Sequence, residues 1–158
     1  MGTNATSVGA VKQELFTQLK ARPFFDQTLG HPERWEFRWV PPGEKKNVRE
    51  IYYHPQVTKK ITYPYIAGPR PPRMEVYSWE LHLRYYQNYT PDLVYQGENL
   101  LQEAINEVEA QLRDDPYVSH NVSNLAQVSD VKSQTIIWDA KTYLFEAVIT
   151  LQVTNKVR

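Results

Sequence analysis

The chain contains no cysteine, and that single absence removes disulfides, thiolate metal sites and a cysteine nucleophile together. Glycine is scarce, with six residues in 158, and no G-x-S-x-G elbow, glycine-rich phosphate loop or dinucleotide fingerprint occurs. Net charge is missing as well: 18 Lys and Arg balance 18 Asp and Glu, whereas a dedicated nucleic-acid binder is normally basic. No early apolar run resembles a signal peptide, and none approaches the roughly 18 to 20 apolar residues that cross a bilayer. The expectation is a soluble protein made in the cytoplasm. Without a secretion signal, the N-x-S/T tripeptides at Asn4, Asn88 and Asn121 are read as coincidental.

Hydrophobic residues make up 41% of the chain and aromatics 13%, which specifies a folded protein. The length fits one domain, residues 1–158, with one core. Val8, Val11, Leu15 and Leu19 recur at spacings of three and four, predicting an amphipathic helix that stops at Pro23. Residues 35–40 alternate aromatics with charges, a strand pattern. From Tyr77 to Tyr85 the alternation is strict, with Tyr77, Trp79, Leu81, Leu83 and Tyr85 on one face. Leu100, Leu101, Ala104, Ile105, Val108 and Leu112 predict a second helix ending before Pro116. Residues 118–128 suggest an irregular strand carrying Val118, His120 and Val122, and two stronger strands follow at 133–138 and 142–154. The expected fold is α+β, an antiparallel or mixed sheet with two helices packed on one face.

Between these elements lies a stretch unlike the rest. Residues 41–73 hold seven of the eleven prolines, and seven Lys and Arg there face only Glu44 and Glu50. The stretch reads as a long projecting insertion, a Pro-rich loop or a β-hairpin with strands at 48–53 and 57–65 around His54-Pro55-Gln56. Residues 98–115 show the opposite bias, six acids against Arg113 alone. Three readings of the basic stretch are open. Lys45, Lys46, Arg49, Lys59, Lys60, Arg70 and Arg73, interleaved with Tyr52, Tyr53, Tyr63 and Tyr65, could grip phosphates and stack bases. They could instead be a solvated hairpin kept soluble by lysines. They could also reach the acidic Glu98, Glu103, Glu107 and Glu109 face of a neighbouring subunit.

Little suggests catalysis. The histidines, His31, His54, His82 and His120, have no helical metal-ligand spacing, and His82, on a polar strand face beside Glu80 and Arg84, reads as solvated or hydrogen-bonded. The Asp114–Asp115 pair falls at a helix end, where a solvated role is expected. No catalytic residue, metal or cofactor is expected; a small enzyme or ligand-binding domain with a pocket between sheet and helix is supported only by the many Tyr and Trp.

The helix at 8–22, the 77–85 strand leading into the 100–112 helix, and the closing hairpin that ends Tyr143-Leu-Phe-Glu-Ala-Val-Ile-Thr-Leu-Gln-Val153 together resemble the tail terminator, or tail-completion, proteins of long-tailed bacteriophages. The likeness is one of architecture and covers most of the chain outside 41–73. It implies a structural virion subunit, made in the host cytoplasm and placed in the tail and neck. Such subunits form a hexameric homo-oligomeric ring that caps the head-proximal end of the tail tube, ends its polymerisation and joins the tail to the head connector. The partners implied are the tail tube protein and a connector or head-closure protein, with DNA passing through the lumen without sequence-specific contact, and no membrane. A head-closure or connector neck protein is the alternative within the same class, and a nucleic-acid-binding module using residues 45–73 is the alternative outside it.

Overall fold

A computed structural model describes residues 8–26, 35–40, 49–63, 68, 72–118, 126–137 and 142–157. Within it the fold is α+β, a five-stranded mixed sheet with two helices. Helix α1 spans Val8–Ala21 and buries the predicted stripe Val11, Leu15 and Leu19. Pro23 lacks an amide hydrogen and cannot extend the ladder, so the chain tightens into turns in which Arg22 donates to the Leu19 carbonyl at 3.0 Å and Asp26 to the Arg22 carbonyl at 2.8 Å. That turn delivers Phe25 into the core.

Strand β1 covers only Trp35–Glu36, shorter than the expected 35–40. Phe37 turns toward α1, edge-on to Phe16 at 5.1 Å, and the buried Val40 amide donates to the Glu50 carboxylate at 2.8 Å, so the chain leaves the strand path. Strand β2, Arg49–Thr62, corrects the hairpin expectation for this region. His54-Pro55-Gln56 is not a turn between two strands. It lies at a register shift inside one strand that pairs antiparallel with β3, Arg73–Asn88, first from Arg49↔Tyr85 to Tyr53↔Leu81 and then from Val57↔Trp79 to Thr62↔Met74. Proline is tolerated because this segment is exposed and the shift relieves the ladder of one amide. Residues 41–48, 64–67 and 69–71 of the Pro-rich stretch lie outside the described residues.

Thr90-Pro91 opens a 3₁₀ turn, Pro91–Leu93, that runs into α2, Val94–Asp114, with Leu101, Ala104, Ile105, Val108 and Leu112 buried as the spacing predicts. Pro116 ends it. Val118 sits in the turn that follows, not in a strand, with φ 46° and its side chain buried. Strand β4, Ala126–Ile137, begins later than the expected irregular strand, and His120 and Val122 lie outside the described residues. β5, Thr142–Val157, closes the sheet in the order β1-β2-β3-β5-β4, parallel only between β1 and β2.

Pairing puts one set of side chains toward the helices. Ile51, Trp79, Leu81, Leu83, Tyr85, Phe145, Ala147, Ile149 and Leu151 form the core with the two helix stripes. Phe16 stacks on Tyr53 at 4.3 Å, and the Tyr53 hydroxyl donates to the Lys12 carbonyl at 2.9 Å, fixing α1 over β2. Arg22 ties α1 to α2 through Glu107 at 2.8 Å, Gln111 at 3.0 Å and Asp114 at 3.0 Å, and Gln18 donates to Asp115 at 2.8 Å. At Gly97 the backbone of α2 lies so near the Phe145 ring that no Cβ fits between them.

Candidate assembly surface

β2 carries most of the described residues of the basic stretch, and its two halves differ. Arg49 is buried on the helix-facing side, its guanidinium 5.0 Å from the centre of the Tyr85 ring and 5.9 Å from that of Trp35. It packs the core instead of offering a charge to a partner. From Pro55 to Thr62 every residue is exposed. On the helix-facing side of this half, Val57, Lys59 and Ile61 form a row, because their partners Trp79, Tyr77 and Glu75 are in phase with the buried row of β3. Lys60 points to the opposite side.

Glu75 does not stand out in the charge pattern, yet it organises the outer end of the sheet. Almost fully buried, it receives Arg73 at 2.8 Å, Lys59 at 3.3 Å and the Tyr77 hydroxyl at 2.9 Å. Burial pushes its pKa up, but the Tyr77 hydroxyl and the Lys59 and Arg73 cations more than reverse this and hold it below the usual carboxylate value. Glu75 and Tyr77 in turn raise Lys59. A depressed carboxylate pKa contributes stability that is complete above the unfolded value, about 4.3, and is lost as pH falls through the folded value. The protection factors of the amides in residues 57–62 and 74–79 should therefore fall selectively on acidification from pH 5 to pH 3, and Glu75→Gln should show low protection at both pH values. A pH-independent wild type would refute this.

The acidic face of α2 is also partly committed. Glu107 pairs with Arg22 inside the subunit, so it is not a free docking charge. Glu103 is exposed and Glu109 half-buried, and Glu98 accepts from the Thr135 hydroxyl at 3.3 Å, lying against the outer end of β4. Asp114 is exposed, as expected of a solvated helix end, while also accepting from Arg22, and Asp115 is half-buried and accepts from Gln18. Lys45, Lys46 and Arg70 lie outside the described residues.

On the face of the sheet away from the helices, buried Tyr86 and Leu144 lie at one end and a polar network lies beside them. Arg84 sits between Glu146 at 2.7 Å and Glu50 at 3.8 Å, and Gln134 donates to Glu146 at 2.8 Å. Burial works against the Arg84 charge, but Tyr86, Tyr52, Glu146 and Glu50 more than offset it and raise its pKa. His82 is hydrogen-bonded to Glu80 at 3.1 Å and lies 3.4 Å from the Tyr52 hydroxyl, with the His54 ring stacked on it at 5.5 Å. Among the described residues, no three His, Asp or Glu side chains come together to hold a metal, and no helix is long and apolar enough to cross a membrane.

These placements weaken the nucleic-acid reading of the basic stretch. Arg49 is in the core, the exposed Lys59 and half-buried Arg73 are paired with Glu75, Tyr53 is locked under Phe16 and Tyr52 is half-buried, so Lys60 and Tyr63 are the described members that are exposed and not already paired. The edges of the sheet, invisible in the charge pattern, are what remains accessible. Among the described residues, β1 pairs with β2 only at Arg49 and Glu50, and β4 pairs with β5 alone. No protein-family model matches the chain, and no curated protein matches it.

Proposed function

We propose that this chain is a structural subunit of a bacteriophage neck, a tail terminator. In this reading it joins head to tail into a hexameric ring on the head-proximal end of the tail tube. The ring stops tube growth and presents a surface to the head connector. It works by shape and contact, without catalytic residues or a cofactor, and DNA passes through the ring without sequence-specific recognition.

The observation that carries the reading is that one subunit has two unlike sheet flanks that no other described strand covers. The β2 flank is exposed and carries Lys59 and Lys60; the β4 flank has Glu98 of α2 lying against it. A closed heterologous ring needs two different complementary surfaces on each copy, and a two-fold dimer does not.

The test is native mass in solution together with location in virions. Rings are expected, found at the tail–head junction, with over-long tubes when the protein is withheld from tail assembly. A protein monomeric in solution and absent from virions sinks the proposal. Lys60→Glu should impair assembly at least about tenfold while shifting the subunit's own stability by no more than about 0.5 kcal/mol. Lys59 is a poorer probe, since reversing it sets a second carboxylate against Glu75.

A further inference from the structure

The two free edges share a design. Each is divided by a register shift, at Tyr53/Val57 in β2 and at Val128/Asp130 in β4. Pro55 in the first case, and Asp130 with Lys132 in the second, guard the region around the shift against strand addition, as edge strands commonly are. Beyond those guards, residues 57–62 and 133–137 contain no proline and are rich in β-branched side chains. Ile137, 73% exposed, and Ile61, 44% exposed, are large apolar residues left on the surface of the single chain.

We propose that copies of this chain join by antiparallel strand addition, residues 133–137 of one copy pairing with residues 57–62 of the next, so that the sheet continues from subunit to subunit. The inference rests on the ring reading above, to which it adds the interface.

Strand direction favours it. β2 and β5 run one way, β3 and β4 the other. When a second copy is laid alongside with its helices on the same side, its β2 is antiparallel to the first copy's β4. Charge favours it too. Glu98 lies against Thr135 on the helix-facing side of β4, and Lys59, paired with Glu75 but still partly exposed, projects from the same side of β2, so the junction would let Glu98 share that cation. The two-fold alternative, β2 against β2, would set Lys59 and Lys60 against their own copies.

Position completes the case. Residues 57–62 pair with 74–79 of β3, whereas 133–137 pair with 143–147 of β5, at the opposite end of the strands. The free halves therefore occupy diagonal corners of the sheet. Joining them offsets each subunit from the last along the strand direction, which is the stagger that a tilted, closed sheet requires.

The absence of cysteine makes the test clean. Thr58→Cys or Lys60→Cys in one full-length chain, and Gln134→Cys or Ile136→Cys in another, place thiols on the side of the sheet away from the helices. Mixed in equal amounts and oxidised, at least one of the four combinations should give the hetero-disulfide in clear excess over either homo-disulfide. Ile137→Lys should then reduce that yield at least about tenfold with little change in the subunit's thermal midpoint. Predominance of the β2–β2 or β4–β4 homo-disulfide, or assembly without any β2–β4 cross-link, overturns the proposal, as does a protein that stays monomeric. Rings recovered from virions without the cross-link would remove this interface and leave the tail role standing. The cross-link in a protein never found in virions would do the reverse.

Discussion

Gly97→Ala should destabilise the protein by about 2 to 3 kcal/mol, although alanine is the better helix former by about 1 kcal/mol. The new methyl group would fall inside the Phe145 ring, and that ring is fully buried, stacked on Tyr85 at 5.1 Å and edge-on to Tyr89 at 5.8 Å. It has no free direction in which to retreat. Denaturant melts should show the loss as a fall in midpoint without a change in slope. Phe145→Leu is costly alone, but in that background Gly97→Ala should become neutral or stabilising, giving a coupling energy above about 1 kcal/mol in the double-mutant cycle. If Gly97→Ala alone raises stability, α2 does not seat closely on Phe145.

Arg84→Met should cost about 3 kcal/mol near neutral pH, because it leaves two carboxylates without their shared cation. Glu50 is 1% exposed and has little water to fall back on, and the Glu146 carboxylate is held at 2.7 Å. Adding Glu50→Gln should recover more than half of that loss, since the amide oxygen can still accept from the Val40 amide while the buried charge is gone. Thermal melts of the two singles and the double decide it: simple additivity would show that Glu50 is not relying on Arg84.

The elements with a regular period are legible in the amino-acid sequence. The stripes Val11-Leu15-Leu19 and Leu101-Ile105-Val108-Leu112, and the alternation through Trp79, Leu81, Leu83 and Tyr85, each bury the side chains their spacing selects. β2 is not legible as one strand, because Pro55 reads as a break; whether proline breaks a strand depends on whether its missing amide would have been needed, and that is a matter of register. Glu75 falls in phase with Tyr77 and Trp79, so its position on the buried face is readable from the alternation. Its partner Lys59 is not, because it comes from a strand whose alignment no local pattern fixes. The division of Arg49 from Lys59 and Lys60, one in the core and two on the edge, has the same origin. A count of charges along 41–73 treats them as equivalent, and alternation within a correctly placed strand separates them.

The Glu75 cluster has a kinetic consequence. Leu81, Leu83 and Ile149 lie in the core, but the outer half of β2 is held by ladder bonds and by a carboxylate with its cations. Hydrogen exchange should therefore be graded along a single strand, slowest near Ile51 and fastest toward Thr62. The strand should thus open from its Thr62 end while Ile51 stays seated in the core, so the corner of the sheet can exchange its hydrogen-bond partners without unfolding the subunit.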